Sequence, residues 1–220
     1  MAFFRRRHDN YVRLVDAVAP WVSPRGLVLD VGANVGYFTK VLGERLDFGG
    51  EAHLFEPIPH LAAHCRVTAA ALAFTAHVHE FALGDQPGSV ELFVANSGNL
   101  GWNTMVAEKA NDTMTRIEIE VRRFDDLGLT ARPDLVKIDV EGAEHRVLQG
   151  MFASLERWTP RPVILCEVGW GANHPQWQEE LAAFDRLADL GYTARTLGGD
   201  ALDVRQLTRT TDVVFVPATA

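Results

Sequence analysis

Two glycines and two acids stand where the chain could hold a ligand with cationic and sugar groups. Gly32 and Gly36 follow the apolar run 27–31, and they let the backbone turn sharply and approach a ligand where a Cβ would clash. Asp30, just before this turn, would repel a pyrophosphate but suits the ammonium of an amino acid. Glu56 ends the next apolar run, where a carboxylate can accept both hydroxyls of a ribose.

The same loop argues against a dinucleotide ligand. The G-x-G-x-x-G pattern would require a glycine at position 34, where the chain carries Asn34. An ordinary turn between a strand and a helix is the alternative for Gly32 and Gly36 taken alone. With Asp30 and Glu56 both at strand ends, an amino acid and a ribose are the ligand parts that fit. Together they indicate S-adenosylmethionine.

A row of charged residues, Lys137-x-Asp139-x-Glu141, forms the second candidate site. Alternate side chains of a strand share a face, so the three are expected to project together. Three interpretations stay open. In the first, Lys137 and Asp139 form a structural pair, and Glu141 and Glu144 stabilise the start of a helix. In the second, Asp139 or Glu141 orients a substrate hydroxyl or takes its proton. In the third, Asp139 and Glu167 hold a divalent cation.

We take Asp139 and Glu141, with Lys137 beside them, as the catalytic candidates. No metal is expected, because the predicted strand ends do not show a compact set of three oxygen ligands. His145 is expected to face solvent. Five more histidines are expected at the surface without a third ligand for zinc, at positions His53, His60, His64, His77 and His79.

The elements that must position these residues alternate between short β-branched runs and longer helical patterns. Predicted strands cover 27–31, 52–55, 79–83, 89–95, 117–123, 135–140, 163–168, 192–197 and 213–216. Predicted helices cover 11–22, 35–46, 58–73, 143–155 and 176–190. The alternation predicts an α/β fold with a single doubly wound, mostly parallel seven-stranded sheet and a small β insertion in the middle of the chain. Ligands of such sheets bind at the carboxyl ends of the strands.

Length and composition favour one globular domain over residues 1–220, with an N-terminal helical segment at 1–24 and a Rossmann-like core at 25–217. The 220 residues are 47% hydrophobic and carry a formal charge of −8. An acidic chain is not typical of a nucleic-acid partner. No apolar run approaches the ~18 residues of a membrane span. Two cysteines, Cys65 and Cys166, are expected to be buried free thiols, which together with the lack of a signal peptide suggests a cytoplasmic protein.

Two stretches carry a family resemblance. D-V-G-A-N-V-G at 30–36, followed by L-F-E-P at 54–57, resembles the cofactor half of class I S-adenosylmethionine-dependent methyltransferases. V-K-I-D-V-E-G-A-E at 136–144 resembles the signature of the FkbM-type methyltransferases, and F-A-L-G-D at 81–85 and L-C-E at 165–167 are also similar to that family. The resemblance implies S-adenosylmethionine as cofactor and methylation of a hydroxyl on a sugar or natural product.

The cofactor and substrate residues follow partly from the strand ends and partly from this resemblance. The expected cofactor contacts are Asp30, Gly32, Asn34, Gly36, Tyr37, Phe38, Glu56, Pro57, Ala82, Leu83 and Asp139. The polar loop 96–104 and the segment after the strand 163–168 are expected to contact the acceptor through Trp102, Asn103, Thr104, Glu167, Trp170 and His174. The expected partner is a small-molecule acceptor.

Other functions remain as alternatives. An N-methyltransferase acting on an amino sugar, aminocyclitol or peptide would need the same cofactor site. A nucleotide-dependent oxidoreductase is disfavoured by Asn34 and Asp30. A non-catalytic cofactor-binding module would not need the acids that stand at the strand ends.

Overall fold

The central sheet is built from the predicted apolar runs. A computed structural model describes residues 2–95 and 114–218. Its strands are β1 (Leu27–Val31), β2 (Glu51–Phe55), β3 (Thr75–His79), β4 (Ala82–Leu83), β5 (Gly88–Ala95), β6 (Met114–Arg122), β7 (Leu135–Ile138), β8 (Val163–Val168), β9 (Tyr192–Arg195) and β10 (Thr211–Pro217). Seven of them form one sheet in the order β3-β2-β1-β7-β8-β10-β9. Six of these strands run in one direction and β10 runs in the opposite direction, which confirms the mostly parallel seven-stranded sheet.

Helices cover both faces of this sheet. They are α1 (Ala2–Val18), α2 (Tyr37–Leu46), α3 (Pro59–Ala70), α4 (Glu144–Gln149), α5 (Phe152–Arg157) and α6 (Trp177–Asp189). Side chains alternate along each strand, so Val28 packs with α1 and α2, whereas Leu29 packs with α4, α5 and α6. Burial on both faces explains why the central strands read as continuous apolar runs.

A three-stranded sheet in the order β4-β6-β5 confirms the predicted β insertion. Its apolar side chains, among them Leu92, Ile119 and Val121, pack against Ile58 and Leu61 at the start of α3. The small sheet therefore lies next to the end of β2, where Glu56 is found.

Two predicted elements are each divided into two in the structure, and the predicted helix 11–22 begins earlier, at Ala2, and ends at Val18. The predicted strand 79–83 is divided, because residues 75–79 pair with β2 while residues 82–83 pair with β6. The predicted helix 143–155 is also divided. The carboxylate of Asp125 accepts hydrogen bonds from the backbone N–H groups of Ala153 and Ser154, at 3.1 and 2.8 Å, and so starts a second helix. Asp125 is distant in sequence, so the local helical pattern gave no sign of this break.

Cys65 and Cys166 are both buried and free, as predicted. Trp177 is buried in the main core. Among the helices within residues 2–95 and 114–218, none is long and apolar enough to cross a membrane.

Candidate active site

The turn after β1 is fastened to the end of β2. Gly32 and Asn34 both have positive φ, 75° and 53°. A Cβ at Gly32 would collide with the backbone carbonyl oxygen of Asp139, so this close approach of β1 and β7 requires glycine. Gly32 and Ala33 each donate a backbone N–H to the carbonyl oxygen of Phe55, both at 3.0 Å. The turn is thereby held in one conformation at the carboxyl edge of the sheet.

Glu56 joins this turn to the start of α3. Its Oε2 accepts the N–H of Asn34 and its Oε1 accepts the N–H of Ile58, both at 2.9 Å. The side chain is buried, and desolvation raises the pKa of Glu56 to about 7, while the two backbone N–H groups act to lower it. Each carboxylate oxygen has a second lone pair, so both can still accept a hydroxyl. The geometry is compatible with the predicted ribose contact, which stays a prediction.

Lys137 is the centre of a buried ionic network. Its Nζ lies 3.3 Å from Asp30 Oδ1 and 3.3 Å from Asp139 Oδ2, and it donates to the carbonyl oxygen of Gly32 at 2.9 Å. Burial alone would lower the pKa of Lys137, but the charges of Asp139 and Asp30 raise it above its usual range, so the ammonium stays charged. The ion pair between Lys137 and Asp139, which belongs to the first of the three open interpretations, is present in the structure.

The expected direct contact between Asp30 and a cofactor ammonium is wrong in this structure. The Asp30 side chain has no exposed surface, and its Oδ2 accepts the hydroxyl of Thr39 at 2.7 Å while its Oδ1 faces Lys137. The register places Asp30 directly opposite Lys137 on the neighbouring strand. Asp30 therefore positions Lys137 beneath the turn. The sequence separation between the two strands hid this pairing.

Three carboxylates converge beyond the ends of β7 and β8. Asp139, Glu141 and Glu167 each offer one oxygen, and these oxygens lie within 4.8 Å of one another. The expectation that the strand ends lack such a compact set is therefore wrong. Burial, with the charge of Asp139 next, raises the pKa of Glu141 and of Glu167 to about 8. Asp212 on β10 lies near this set, and burial and Asp139 raise the pKa of Asp212 to about 6.

The loop after β7 requires a glycine at position 142, where it passes between the three carboxylates and the rings of Trp170 and His174. Glu141 has a positive φ of 58°, and a Cβ at Gly142 would lie 2.8 Å from the Trp170 ring and 3.0 Å from His174 Nε2. The rings of Trp170 and His174 stack with centroids 5.0 Å apart. Trp170 keeps part of its surface exposed, so it can still meet an acceptor.

His174 positions the loop and does not face the acceptor as expected. It is buried, its Nε2 lies 3.0 Å from the carbonyl oxygen of Gly142, and its Nδ1 accepts the N–H of Gln176 at 3.0 Å. A carbonyl only accepts, so the proton of the imidazole lies on Nε2. Both ring nitrogens are used within the protein.

Glu144 and His145 are both buried, and for His145 this contradicts the expectation that it faces solvent. Glu144 Oε1 accepts the N–H groups of Val140 and Gly142, both at 3.1 Å, and so holds the loop that carries Glu141. Burial and the nearby Glu180 raise the pKa of Glu144 to about 8.

His145 Nδ1 lies 3.0 Å from Glu180 Oε1 on α6. A signal was available in the sequence, because Glu180 occupies the same apolar stripe as Trp177, Phe184 and Leu187. An acid in such a stripe indicates a buried polar partner.

Several residues that were expected to contact the cofactor have side chains buried in the hydrophobic core, so they are not exposed to a ligand. Phe38 lies in the core between α2 and the sheet, and Leu83 lies in the main core. Ala82 packs within the small sheet. Pro57 and Tyr37 keep part of their surface exposed. The expected acceptor contacts at Trp102, Asn103 and Thr104 lie outside the described residues.

The N-terminal helix covers one side of the site. The rings of Tyr11 on α1 and Tyr37 on α2 meet edge to face with centroids 5.3 Å apart, and His8 Nδ1 lies 3.1 Å from the Tyr37 hydroxyl. Leu14 and Val18 of the same helix lie in the core. Core packing and partial cover of the site therefore occur together in α1.

The sequence matches one family over most of its length. A profile of the methyltransferase FkbM domain matches residues 30–194. The chain belongs to the FkbM methyltransferase family. The match includes the turn after β1, Glu56 and the acidic set, so the site described above lies within the family domain. S-adenosylmethionine-dependent methyltransferases of class I share the sheet seen here.

A curated relative and two solved structures are similar to this FkbM-family chain. The "31-O-demethyl-FK506 methyltransferase FkbM" of Streptomyces tacrolimicus is 31% identical, over 59% of this chain and 61% of that protein. The structure of "Methyltransferase FkbM" from Methylobacillus flagellatus KT matches 88% of this chain and 44% of its own, with a TM-score of 0.57 and 16% identity. The chain thus spans less than two thirds of either relative.

The second solved structure is the O-methyltransferase TomG from Streptomyces achromogenes, in complex with SAM. It matches 94% of this chain and 79% of its own, with a TM-score of 0.54 and 15% identity. At this identity the likeness concerns the fold.

Proposed function

We propose that this protein transfers a methyl group from S-adenosylmethionine to a hydroxyl oxygen of a small-molecule acceptor, a sugar or another natural product. One observation carries the proposal: the glycine turn with Glu56 and the set Asp139, Glu141 and Glu167 lie at the same carboxyl edge of the sheet. A cofactor held by the first part would present its methyl group toward the second. Family membership supports methyl transfer, and the name of the curated relative supports an oxygen acceptor.

The cofactor half of the site is assigned to the turn and to Glu56. The backbone of Gly32 and Asn34 approaches the methionine part, and the free lone pairs of Glu56 accept the ribose hydroxyls. TomG is a relative in fold that was solved with the same cofactor. The network of Lys137 and Asp30 holds the turn from below, so the site is formed before the cofactor binds.

Methyl transfer needs the acceptor oxygen to be aligned with the sulfonium methyl group, and it needs a group that accepts the hydroxyl proton. The acceptor oxygen attacks the sulfonium methyl carbon, the carbon–sulfur bond breaks with its electron pair moving to sulfur, and S-adenosylhomocysteine leaves. The hydroxyl proton passes to a carboxylate. Glu141 suits this role best, because its raised pKa of about 8 makes it a better proton acceptor than an ordinary glutamate.

Asp139 is assigned to orienting the hydroxyl. Its Oδ2 is held 3.3 Å from the Lys137 ammonium, so its position is fixed and its charge is balanced. Trp170 provides an apolar surface on the acceptor side and helps to exclude water.

The proposal is tested by ligand binding followed by product analysis. Calorimetry with S-adenosylhomocysteine is expected to give saturable binding, and NAD is expected to give none. The protein is then incubated with methyl-labelled S-adenosylmethionine and a panel of hydroxyl and amine acceptors. Mass spectrometry of the product locates the methyl group.

Absence of S-adenosylhomocysteine binding by the folded protein would overturn the cofactor assignment. A methyl group located on nitrogen would show that the acceptor atom is an amine nitrogen and not a hydroxyl oxygen, as in an amino sugar, an aminocyclitol or a peptide. NAD binding in its place would favour an oxidoreductase.

A further inference from the structure

A second group of side chains that could ligate a metal lies on β2 and the edge strand β3, and it shares no side chain with the methyltransferase site. β2 and β3 pair in parallel with His53 opposite His77 and Phe55 opposite His79. Because alternate residues share a face, Glu51 and His53 of β2 project on the same side as His77 and His79 of β3. The register thus brings one carboxylate and three imidazoles together.

Three of these side chains have the spacing of a zinc coordination shell. Glu51 Oε1 lies 3.1 Å from His53 Nε2 and 3.2 Å from His77 Nε2, and all three ligand atoms lie within 4.8 Å of one another. Zinc binds nitrogen and oxygen at about 2.0–2.2 Å, so neighbouring ligands of a tetrahedral shell lie roughly 3.3–3.5 Å apart. Small side-chain movements would bring the observed distances to these values.

His79 supplies the support that a ligating histidine needs. Its Nε2 lies 2.9 Å from His53 Nδ1, and its ring stacks on Phe55 with centroids 4.6 Å apart. A metal-bound imidazole usually donates its other N–H to a hydrogen-bond acceptor such as a carboxylate, a backbone carbonyl or water, and here His79 Nε2 takes the place of that acceptor. With the proton of His53 on Nδ1, the Nε2 lone pair points to the position shared with Glu51 and His77.

The site is also accessible. The side chains of Glu51 and His77 are each 49% exposed, whereas that of His53 is 10% exposed. An ion can therefore enter from solvent and still be held by one buried ligand. The fourth tetrahedral position faces solvent and suits a water molecule.

We propose that Glu51, His53 and His77 bind a zinc ion, with His79 as a positioning residue for His53. The ion joins the edge strand β3 to β2 and so stabilises the edge of the sheet, because a ligand that binds only the folded state raises its stability. The sequence alone suggested no third ligand for any histidine pair, because the two strands are far apart along the chain. This proposal does not depend on the proposed methyl transfer.

The test is calorimetric titration of tag-free, metal-stripped protein with Zn²⁺. Parent protein is expected to bind one ion per chain and to melt at a higher temperature with zinc present. His77→Gln is expected to lose at least about 100-fold in affinity, and His79→Gln about 10–100-fold, as for loss of a supporting hydrogen bond. Co²⁺ in place of Zn²⁺ is expected to give the visible absorption of a tetrahedral site in the parent and not in His77→Gln.

His60→Gln serves as the matched control, because His60 and His64 are exposed histidines one turn apart on α3. This variant is expected to bind zinc like the parent. Circular dichroism checks that each variant is folded. Parent-like affinity in folded His77→Gln, or a loss confined to His60→Gln, would overturn the proposal.

Discussion

Lys137 Nζ lies 2.9 Å from the carbonyl oxygen of Gly32, so a charged side chain of β7 holds the turn after β1. The same ammonium pairs with Asp30 beneath the turn and with Asp139 on its own strand. One buried charge therefore connects the expected cofactor half of the site with the expected acceptor half. This arrangement also explains why a lysine is placed in a buried strand.

Replacing Lys137 by methionine is expected to destabilise the protein by about 3–5 kcal/mol, because Asp30 is left as an uncompensated buried charge. The measurement is the free energy of unfolding in urea. Lys40→Met is the control, since the Lys40–Glu44 pair is exposed and such pairs contribute about 0–1 kcal/mol. The double variant Asp30→Asn with Lys137→Met should recover part of the loss. Equal stability of Lys137→Met and parent would contradict the buried network.

Replacing Glu56 by alanine is expected to weaken S-adenosylhomocysteine binding by about 1.5–3 kcal/mol, as for lost hydrogen bonds to a charged group. Part of this loss comes from the backbone N–H groups of Asn34 and Ile58, which lose their acceptor. Calorimetry gives the affinity directly. Glu80→Ala, an exposed acid paired with Arg66, should leave it unchanged. Unchanged affinity in Glu56→Ala would remove Glu56 from the cofactor site.

Methyl transfer is expected to speed up as the pH rises through about 8, since Glu141 must lose its proton to act as a base. Single-turnover rates at saturating cofactor isolate this step. Glu141→Gln should lower the rate by about 10²–10⁴ and remove the dependence on pH. Asp139→Asn should also lower the rate without changing cofactor affinity. A parent-like pH profile in Glu141→Gln would assign the base to another group.

The raised pKa of Glu141 also makes the stability of the folded protein depend on pH. Stability is expected to fall as the pH rises, whereas the rate of methyl transfer is expected to increase. Folded Glu141 holds its proton up to about pH 8, whereas the unfolded chain releases it near the ordinary value of 4.5. The folded state therefore binds more protons between these values, and stability falls as the pH rises through this window. Glu141→Gln should show a smaller fall between about pH 5 and pH 8 in thermal melts. An identical fall in the variant would show that other groups, such as Glu167, account for it.

Glu144 is expected to stabilise the loop after β7 through the hydrogen bonds that its side chain accepts. The negative charge of its carboxylate is not expected to be needed. Glu144→Ala leaves the N–H groups of Val140 and Gly142 without their acceptor, at a cost of about 1–3 kcal/mol each. Glu144→Gln keeps a carbonyl acceptor and resembles the protonated acid favoured by a pKa of about 8. Urea unfolding and turnover should therefore change much more in the alanine variant. Equal losses in both variants would show that the charge itself is needed.

Turnover is expected to survive metal chelation. The three oxygens of Asp139, Glu141 and Glu167 are close enough for a divalent ion, but the Lys137 ammonium already balances Asp139 and would repel a second cation. Activity is measured in chelator and again with added Mg²⁺. Complete loss that Mg²⁺ restores would make this acidic set a metal site.

The sequence by itself determined how strands and helices follow one another along the chain and that a β insertion interrupts them in the middle. It also determined that Glu56, Asp139 and Glu141 lie at the ends of strands. These follow from local patterns, because the period of apolar residues and the glycine turns act over a few neighbouring residues. The pairing of Lys137 with Asp139 was also readable, since two positions along a strand share a face.

Only the tertiary structure decided which distant groups meet. The pairing of Asp30 with Lys137 and the grouping of Glu51 with His53 and His77 depend on which strands are neighbours and in which register. The burial of Glu144 depends on the packing of α4 against α6. A single strand or helix does not specify its partners, because contacts between distant segments are selected by the free energy of the whole packed core.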